Sequence, residues 1–191
     1  MFKKINAILF NQRAQKYLSQ TPREHRFVSY KKAKTILVLF ESDYTEKNQN
    51  IHAIIHELQQ DGKKVSAWGF IDKKEIATAI YPDFRILHHK QTDFSHKPLV
   101  SFLNELQYSE FDLLIDLTSR QVIPLEYLAL YARASFKTGM RKTNLPIYDF
   151  VLDIEKVQIE TESTEPVEVT VEETYLYNQI IFYLKSIQTT D

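Results

Sequence analysis

Two apolar runs, Thr35-Ile-Leu-Val-Leu-Phe40 and Phe111-Asp-Leu-Leu-Ile-Asp-Leu117, limit the possible folds more than anything else in the chain. In the first run both alternating parities are apolar, so a strand made from it must be covered on both faces. That environment is the interior of a parallel sheet with helices on each side. The polar stretch after Phe40 leads into a helical stripe of Ile51, Ile54, Ile55 and Leu58, closed by Asp61-Gly62, and Lys64-Val-Ser-Ala-Trp-Gly-Phe-Ile71 follows as a second strand. Strand, helix, glycine cap and strand in this order make a βαβ unit, whose crossover is right-handed in nearly all cases.

The expected fold class is therefore α/β: a three-layer, Rossmann-like arrangement with a mostly parallel sheet of about six strands, an N-terminal amphipathic helix and a C-terminal helix. Residues 1–34 read as a basic N-terminal helix and linker, and residues 35–191 as a single Rossmann-like domain. Within that domain 155–170 form an acidic connector and 171–187 the C-terminal helix. Helical spacing of Ala7, Phe10, Ala14, Tyr17 and Leu18 predicts a helix over 3–20, stopped by Thr21-Pro22. The remaining pattern predicts a short helix over 74–80, a strand over 84–87 and a helix over 98–107 with Pro98 in its first turn. A helix over 124–133 and strands over 135–138 and 147–154 follow. The last helix is apolar nearly all round and must be covered, most simply by the sheet, or by a second copy in a homodimer.

What the chain lacks excludes whole classes of chemistry. With no cysteine there is no disulfide, thiol nucleophile or thiolate metal site, as suits a reducing compartment. No apolar run is long enough to span a bilayer, and the apolar start of the chain is broken by Asn11, Gln12 and Arg13 without a cleavage site, so the expected location is cytoplasmic. Gly62, Gly69 and Gly139 are its only glycines, which rules out both common glycine-rich phosphate loops. There is also no G-x-S-x-G elbow. His52 and His56 stand one helical turn apart but opposite the apolar stripe, and Glu57 follows the wrong histidine for a zincin. His88, His89 and His96 lie in a polar loop. No metal, no cofactor and no catalytic residue is expected.

Charge is sorted along the chain. Residues 1–34 hold nine Lys and Arg against Glu24 alone, while residues 149–191 hold ten Asp and Glu against Lys156 and Lys185. The ends either pair with each other or remain solvated faces, or the first is a basic patch for nucleic acid or anionic lipid. The contact candidates are Lys3, Lys4, Arg13, Lys16, Arg23, Arg26, Lys31, Lys32 and Lys34. A second candidate site comes from the rule that open α/β sheets bind ligands outside the carboxyl ends of their strands, at the topological switch point. If the two apolar runs are neighbours there, Ser42 and Asp43 face Asp116, Thr118, Ser119 and Arg120 across a crevice. Alternatively Asp116 fixes its own loop and pairs with Arg120. Asp112 shares the parity of Asp116 but lies about 13 Å away along the strand, too far for a carboxylate pair. Lys137 and Arg141 flank Gly139, either as an anion site or as the arms of a turn.

The segments Phe111 to Thr118, Ala134-Ser-Phe-Lys-Thr-Gly139, Tyr148-Asp-Phe-Val-Leu-Asp-Ile154 and Ile181-Phe-Tyr-Leu184 together resemble a family of uncharacterised bacterial proteins, a domain of unknown function. A more distant similarity is to the N-terminal, acceptor-binding half of the ADP-heptose heptosyltransferases, which carry a comparable strand, a helix and an Arg-Ile-Gly. That resemblance implies a Rossmann-like fold and places Asp43 loosely where those enzymes carry a catalytic base after a glycine. Here Ser42 stands in the glycine's place, and the nucleotide-sugar half has no counterpart. The leading expectation is a non-catalytic binding or interaction module that contacts a protein partner through its basic N-terminus. The alternatives are an RNA-binding or ribosome-associated protein using the same residues, and a glycosyltransferase-like enzyme fragment acting on a sugar or nucleotide.

Overall fold

A computed structural model of the chain describes residues 2–42, 46–72, 84–153 and 171–187. Six strands, β1 (Thr35–Glu41), β2 (Lys64–Ile71), β3 (Phe84–His88), β4 (Glu110–Asp116), β5 (Arg133–Met140) and β6 (Phe150–Leu152), form one sheet in the order β3-β2-β1-β4-β5-β6. Every pairing in it is parallel. The two apolar runs are neighbours, with Ile36 opposite Leu113 and Leu39 opposite Asp116. From β1 the chain proceeds to one side of the sheet and from β4 to the other, so the switch point lies between them.

Strand parity builds the two faces. Ile36, Val38 and Phe40 of β1 join Leu113 and Ile115 of β4 under α2 (Glu46–Gln60) and α5 (Glu173–Ser186), which contribute Ile51, Ile54, Leu58, Leu176, Ile180 and Leu184. Leu37, Leu39 and Leu114 face the opposite layer of α1 (Phe2–Gln20), α3 (Val100–Tyr108) and α4 (Ile123–Tyr131). The basic first helix belongs to that layer. Phe10 and Ala14 are fully buried, Phe10 meets Tyr127 edge to face, and Tyr17 stacks on Tyr131 with ring centroids 4.3 Å apart. Helix α5 buries one face and leaves Tyr175, Phe182 and Tyr183 half exposed. No described helix is long and apolar enough to cross a membrane.

Strand β2 has the bounds its sequence predicts. Helices α4 and α5 end within two residues of their expected bounds, and three elements depart from expectation more tellingly. Pro98 precedes α3 instead of opening it, because it is held in an antiparallel bridge to Thr92 while Leu99 takes the cap position. Strand β5 continues through Gly139, which pairs with Val151 and makes no turn. A Cβ at Gly139 would stand 3.0 Å from the Tyr148 ring, so the missing side chain admits that tyrosine. Strand β6 begins at Phe150 instead of Ile147, and just before it the Asp149 carboxylate accepts from the Lys137 amide at 2.7 Å. The expected helix over 74–80 and the acidic connector 155–170 lie outside the described residues.

Candidate functional site

At the carboxyl end of β4, Asp116 is fully buried. A carboxylate there must be compensated by partners that supply both charge and hydrogen bonds. Its Oδ1 accepts from the Thr118 amide at 2.9 Å and the Thr118 hydroxyl at 2.7 Å. Its Oδ2 accepts from Lys142 Nζ at 2.5 Å and from the Tyr148 hydroxyl. Lys142 also donates to Thr118 Oγ1, closing a ring of contacts whose ammonium and carboxylate are both out of solvent. Burial pushes the Tyr148 phenol well above its ordinary value, and the Asp116 charge adds to this, so the tyrosine stays a donor.

The other crevice residues take separate partners. Arg120 forms a two-point pair with Glu41 at the end of β1, Nε to Oε2 being 2.9 Å, and does not pair with Asp116. Ser42 is buried, its amide donating to the Phe70 carbonyl of β2 at 2.9 Å. Ser119 is partly exposed on the loop between Thr118 and Arg120. Asp43 lies outside the described residues. The structure thus joins Asp116 to Thr118 and Arg120 to Glu41. Lys142, Tyr148 and Glu41 were not among the candidates, although a buried Asp in an apolar strand already signals that distant partners exist.

Glu126 of α4 stands beside this ring. It is 1% exposed; its Oε2 accepts from Gln121 at 2.9 Å and its Oε1 has no partner among the described residues. Burial raises its pKa against the pull of Lys142 and Gln121. Gln121 and Lys142, with Asn11 and Gln15 of α1 and residues 143–145, line a small polar hollow of about 460 Å³. Among the described residues no group of His, Asp or Glu side chains is placed to hold a metal ion.

The larger opening is at the other edge of the sheet. A cleft of about 1050 Å³ lies between the end of α1 with its following linker and the amino ends of β1, β4 and β5. Tyr17, Phe111 and Tyr131 form an aromatic wall, and Arg23, Arg26, Lys34 and Arg133 bring positive charge, with the buried Lys137 behind them. Several of these are engaged. Arg23 pairs with Asp149, which also meets His25, and Arg133 pairs with Glu110 at 2.8 Å. Asp112 accepts from the amides of Lys34 and Thr35 at 2.7 and 3.0 Å, tying the amino ends of β1 and β4 together. Burial works against these carboxylates, yet their hydrogen bonds and neighbouring cations hold Asp112 and Asp149 below the ordinary value.

The expected pair of Lys137 and Arg141 goes to different partners. Arg141 bonds Asp153 at 2.8 Å, whereas the buried Lys137 amine donates to the carbonyls of Ala129 at 2.7 Å and Leu130 at 3.3 Å in the last turn of α4. Burial, aided by Arg23 and opposed by Asp149, lowers its pKa to about 7. Of the basic contact candidates, Arg13 bonds Ser95 and approaches Asp93, while Lys16, Arg26, Lys31, Lys32 and Lys34 are exposed. The side chains of Lys3 and Lys4 lie outside the described residues.

Comparison with known proteins finds a family of unknown function, DUF6913, matching residues 7–168. No curated protein matches the chain. A crystal structure of the glycosyl transferase family 9 from Veillonella parvula DSM 2008 is similar over 81% of this chain and 42% of that one, at 17% sequence identity and a TM-score of 0.47. The chain thus spans less than half the length of that protein.

Proposed function

Because the chain belongs to the DUF6913 family, whose function is unknown, we propose a reading from its own geometry: a cytoplasmic, non-catalytic binding module that meets its partner along the amino ends of the strands. The observation that carries this is the saturation of Asp116 at the switch point. Four internal donors occupy its two oxygens. A carboxylate so held can orient a substrate only after a buried ion pair is broken, which is costly. It serves instead as the clasp that fixes the loops after β4 and β5. The opposite edge carries exposed cations beside an open cleft, the arrangement that steers an acidic or phosphorylated partner.

The test is recovery of bound partners from native cells with a tagged chain and with an Arg26→Glu, Lys31→Glu, Lys34→Glu variant. The variant is expected to lose its partner while keeping its thermal midpoint. Charge reversal is preferred to deleting α1, since deletion would uncover Phe10 and Ala14. Full retention of every partner by the folded variant would refute this reading.

A further inference from the structure

This inference rests on the binding-module reading and names the ligand of the amino-edge cleft. We propose that the cleft holds a nucleoside phosphate, as a free nucleotide or as an unpaired stretch of RNA, with the base against the tyrosine wall and the phosphate at the Arg26 and Lys34 rim.

Three observations converge. The first is size: the open cleft of about 1050 Å³ is just larger than ordinary small-molecule sites and has room for a nucleotide. The second is the pairing of wall and rim. Tyr17 and Tyr131 are already stacked, both partly exposed and both facing the cleft, with Phe111 beside them. Of the acids in the wall, Glu110 is paired with Arg133 and Asp112 is committed to backbone amides, leaving Glu24 exposed on the linker against Arg26 and Lys34. A bare anion has no use for an aromatic wall, and an apolar ligand has none for the cations. A flat ring carrying a phosphate uses both, as proteins that bind single strands do.

The third observation is Lys137 in the cleft wall. Its amine is faced by the Ala129 and Leu130 carbonyls of α4, by Arg23 of the linker and by Asp149 of the loop before β6. With its pKa near 7, the amine is largely neutral above neutrality, and its two N–H groups match the two carbonyls. Protonation adds a third N–H and a charge, which Arg23 disfavours in the empty cleft. A bound phosphate reverses that balance, so its arrival at about pH 8 draws a proton onto Lys137, whereas at about pH 6 the proton is already there.

The experiment is calorimetric titration of the full chain with oligouridylate, with uridine monophosphate and with inorganic phosphate, in buffers of different protonation enthalpy at about pH 6 and about pH 8. At least one nucleotide probe is expected to bind more tightly than inorganic phosphate, with proton uptake at the higher pH only. Binding of the mononucleotide identifies a free nucleotide as the ligand, and binding of the oligomer alone identifies RNA. Arg26→Ala with Lys34→Ala should reduce the salt slope of the bound nucleotide probe by about one to two. Lys137→Met should abolish proton uptake while binding persists; if that variant does not fold, the contrast between the two pH values in the native chain decides. Binding of neither nucleotide probe, phosphate binding as tightly as they do, or uptake independent of pH would each overturn the inference. Partner loss confined to the charge-reversed variant would then leave the binding-module reading standing, and partner retention would end both.

Discussion

The two edges of the sheet are made from the same strands and have opposite characters. At the carboxyl ends of β4 and β5, the charge of Asp116 is buried and answered by Lys142, Tyr148 and Thr118. At the amino ends of those strands Arg26, Lys34 and Arg133 are exposed, around a cleft of about 1050 Å³. Open α/β sheets ordinarily bind at the carboxyl edge because loops diverge there and leave a crevice. In this chain the loop after β5 folds back and sets its own lysine and tyrosine on Asp116 there. The diverging elements that leave room are at the opposite edge, where the end of α1 parts from β4 and β5. The position of a switch point therefore locates a crevice only when the chain does not close it.

The comparison breaks most visibly at Lys142. Replacing it with Met leaves the buried Asp116 without its cation, a loss of about 3–5 kcal/mol that would show as a large fall in the urea midpoint. Adding Asp116→Asn to Lys142→Met should recover part of it, since the orphaned charge is then gone. A Lys142→Met protein as stable as the native one would mean that the carboxyl edge is not a clasp.

Gly139→Ala tests the same clasp from below. The new methyl group would lie 3.0 Å from the Tyr148 ring and 3.2 Å from Asp116 Cβ, so the tyrosine or the strand must shift. Overpacking of this kind costs about 1–3 kcal/mol, and the tyrosine's bond to Asp116 should lengthen or break. The check is a denaturation curve together with the ultraviolet titration of Tyr148, whose phenol should ionise more readily once it moves away from that carboxylate.

Glu126 gives a smaller effect with a definite sign. Its folded pKa is raised by burial, so the fold holds that proton more tightly than the unfolded chain does. Its contribution to stability is greatest below the unfolded value and declines as pH rises through the folded one. Glu126→Gln is permanently neutral. It should be more stable than the native chain by up to about 1 kcal/mol near neutrality, with the advantage vanishing as pH falls through the ordinary glutamate range. Urea denaturation at a series of pH values would measure it, and an advantage that grows toward acid would contradict the assignment.

Much of the fold was legible because burial on both faces is written locally. Ile36, Leu37, Val38, Leu39 and Phe40 need no distant information to specify a covered strand, and Gly62 closes α2 with a positive φ of 76°. Asp116 could be singled out for a related reason, since an acid inside such a run must find compensation. Its partners could not be read, because Lys142 and Tyr148 lie 26 and 32 residues further on, in a polar loop with no periodicity. Glu126 was hidden among the apolar residues of Ile123–Tyr131, where nothing distinguishes a sealed glutamate from an exposed one. The cleft was invisible for a stronger reason. It is the space left between a helix end, a linker and three strand ends, and no single segment encodes a space.

The amino edge supplies the mildest perturbation of stability and the most informative one. Arg26 and Lys34 are exposed, so Arg26→Ala with Lys34→Ala should change unfolding free energy by no more than about 0.5 kcal/mol. The buried clasp is far less tolerant, because there Lys142 supplies the charge that answers a carboxylate out of solvent. If the rim pair proves as damaging to the urea midpoint as Lys142→Met, both edges are structural and the contrast between them collapses. If stability is untouched while partner recovery falls, evolution has been free to set charge at this edge without regard to the core. That freedom is what a recognition surface requires, and a residue such as Asp116, locked by four bonds, does not have it.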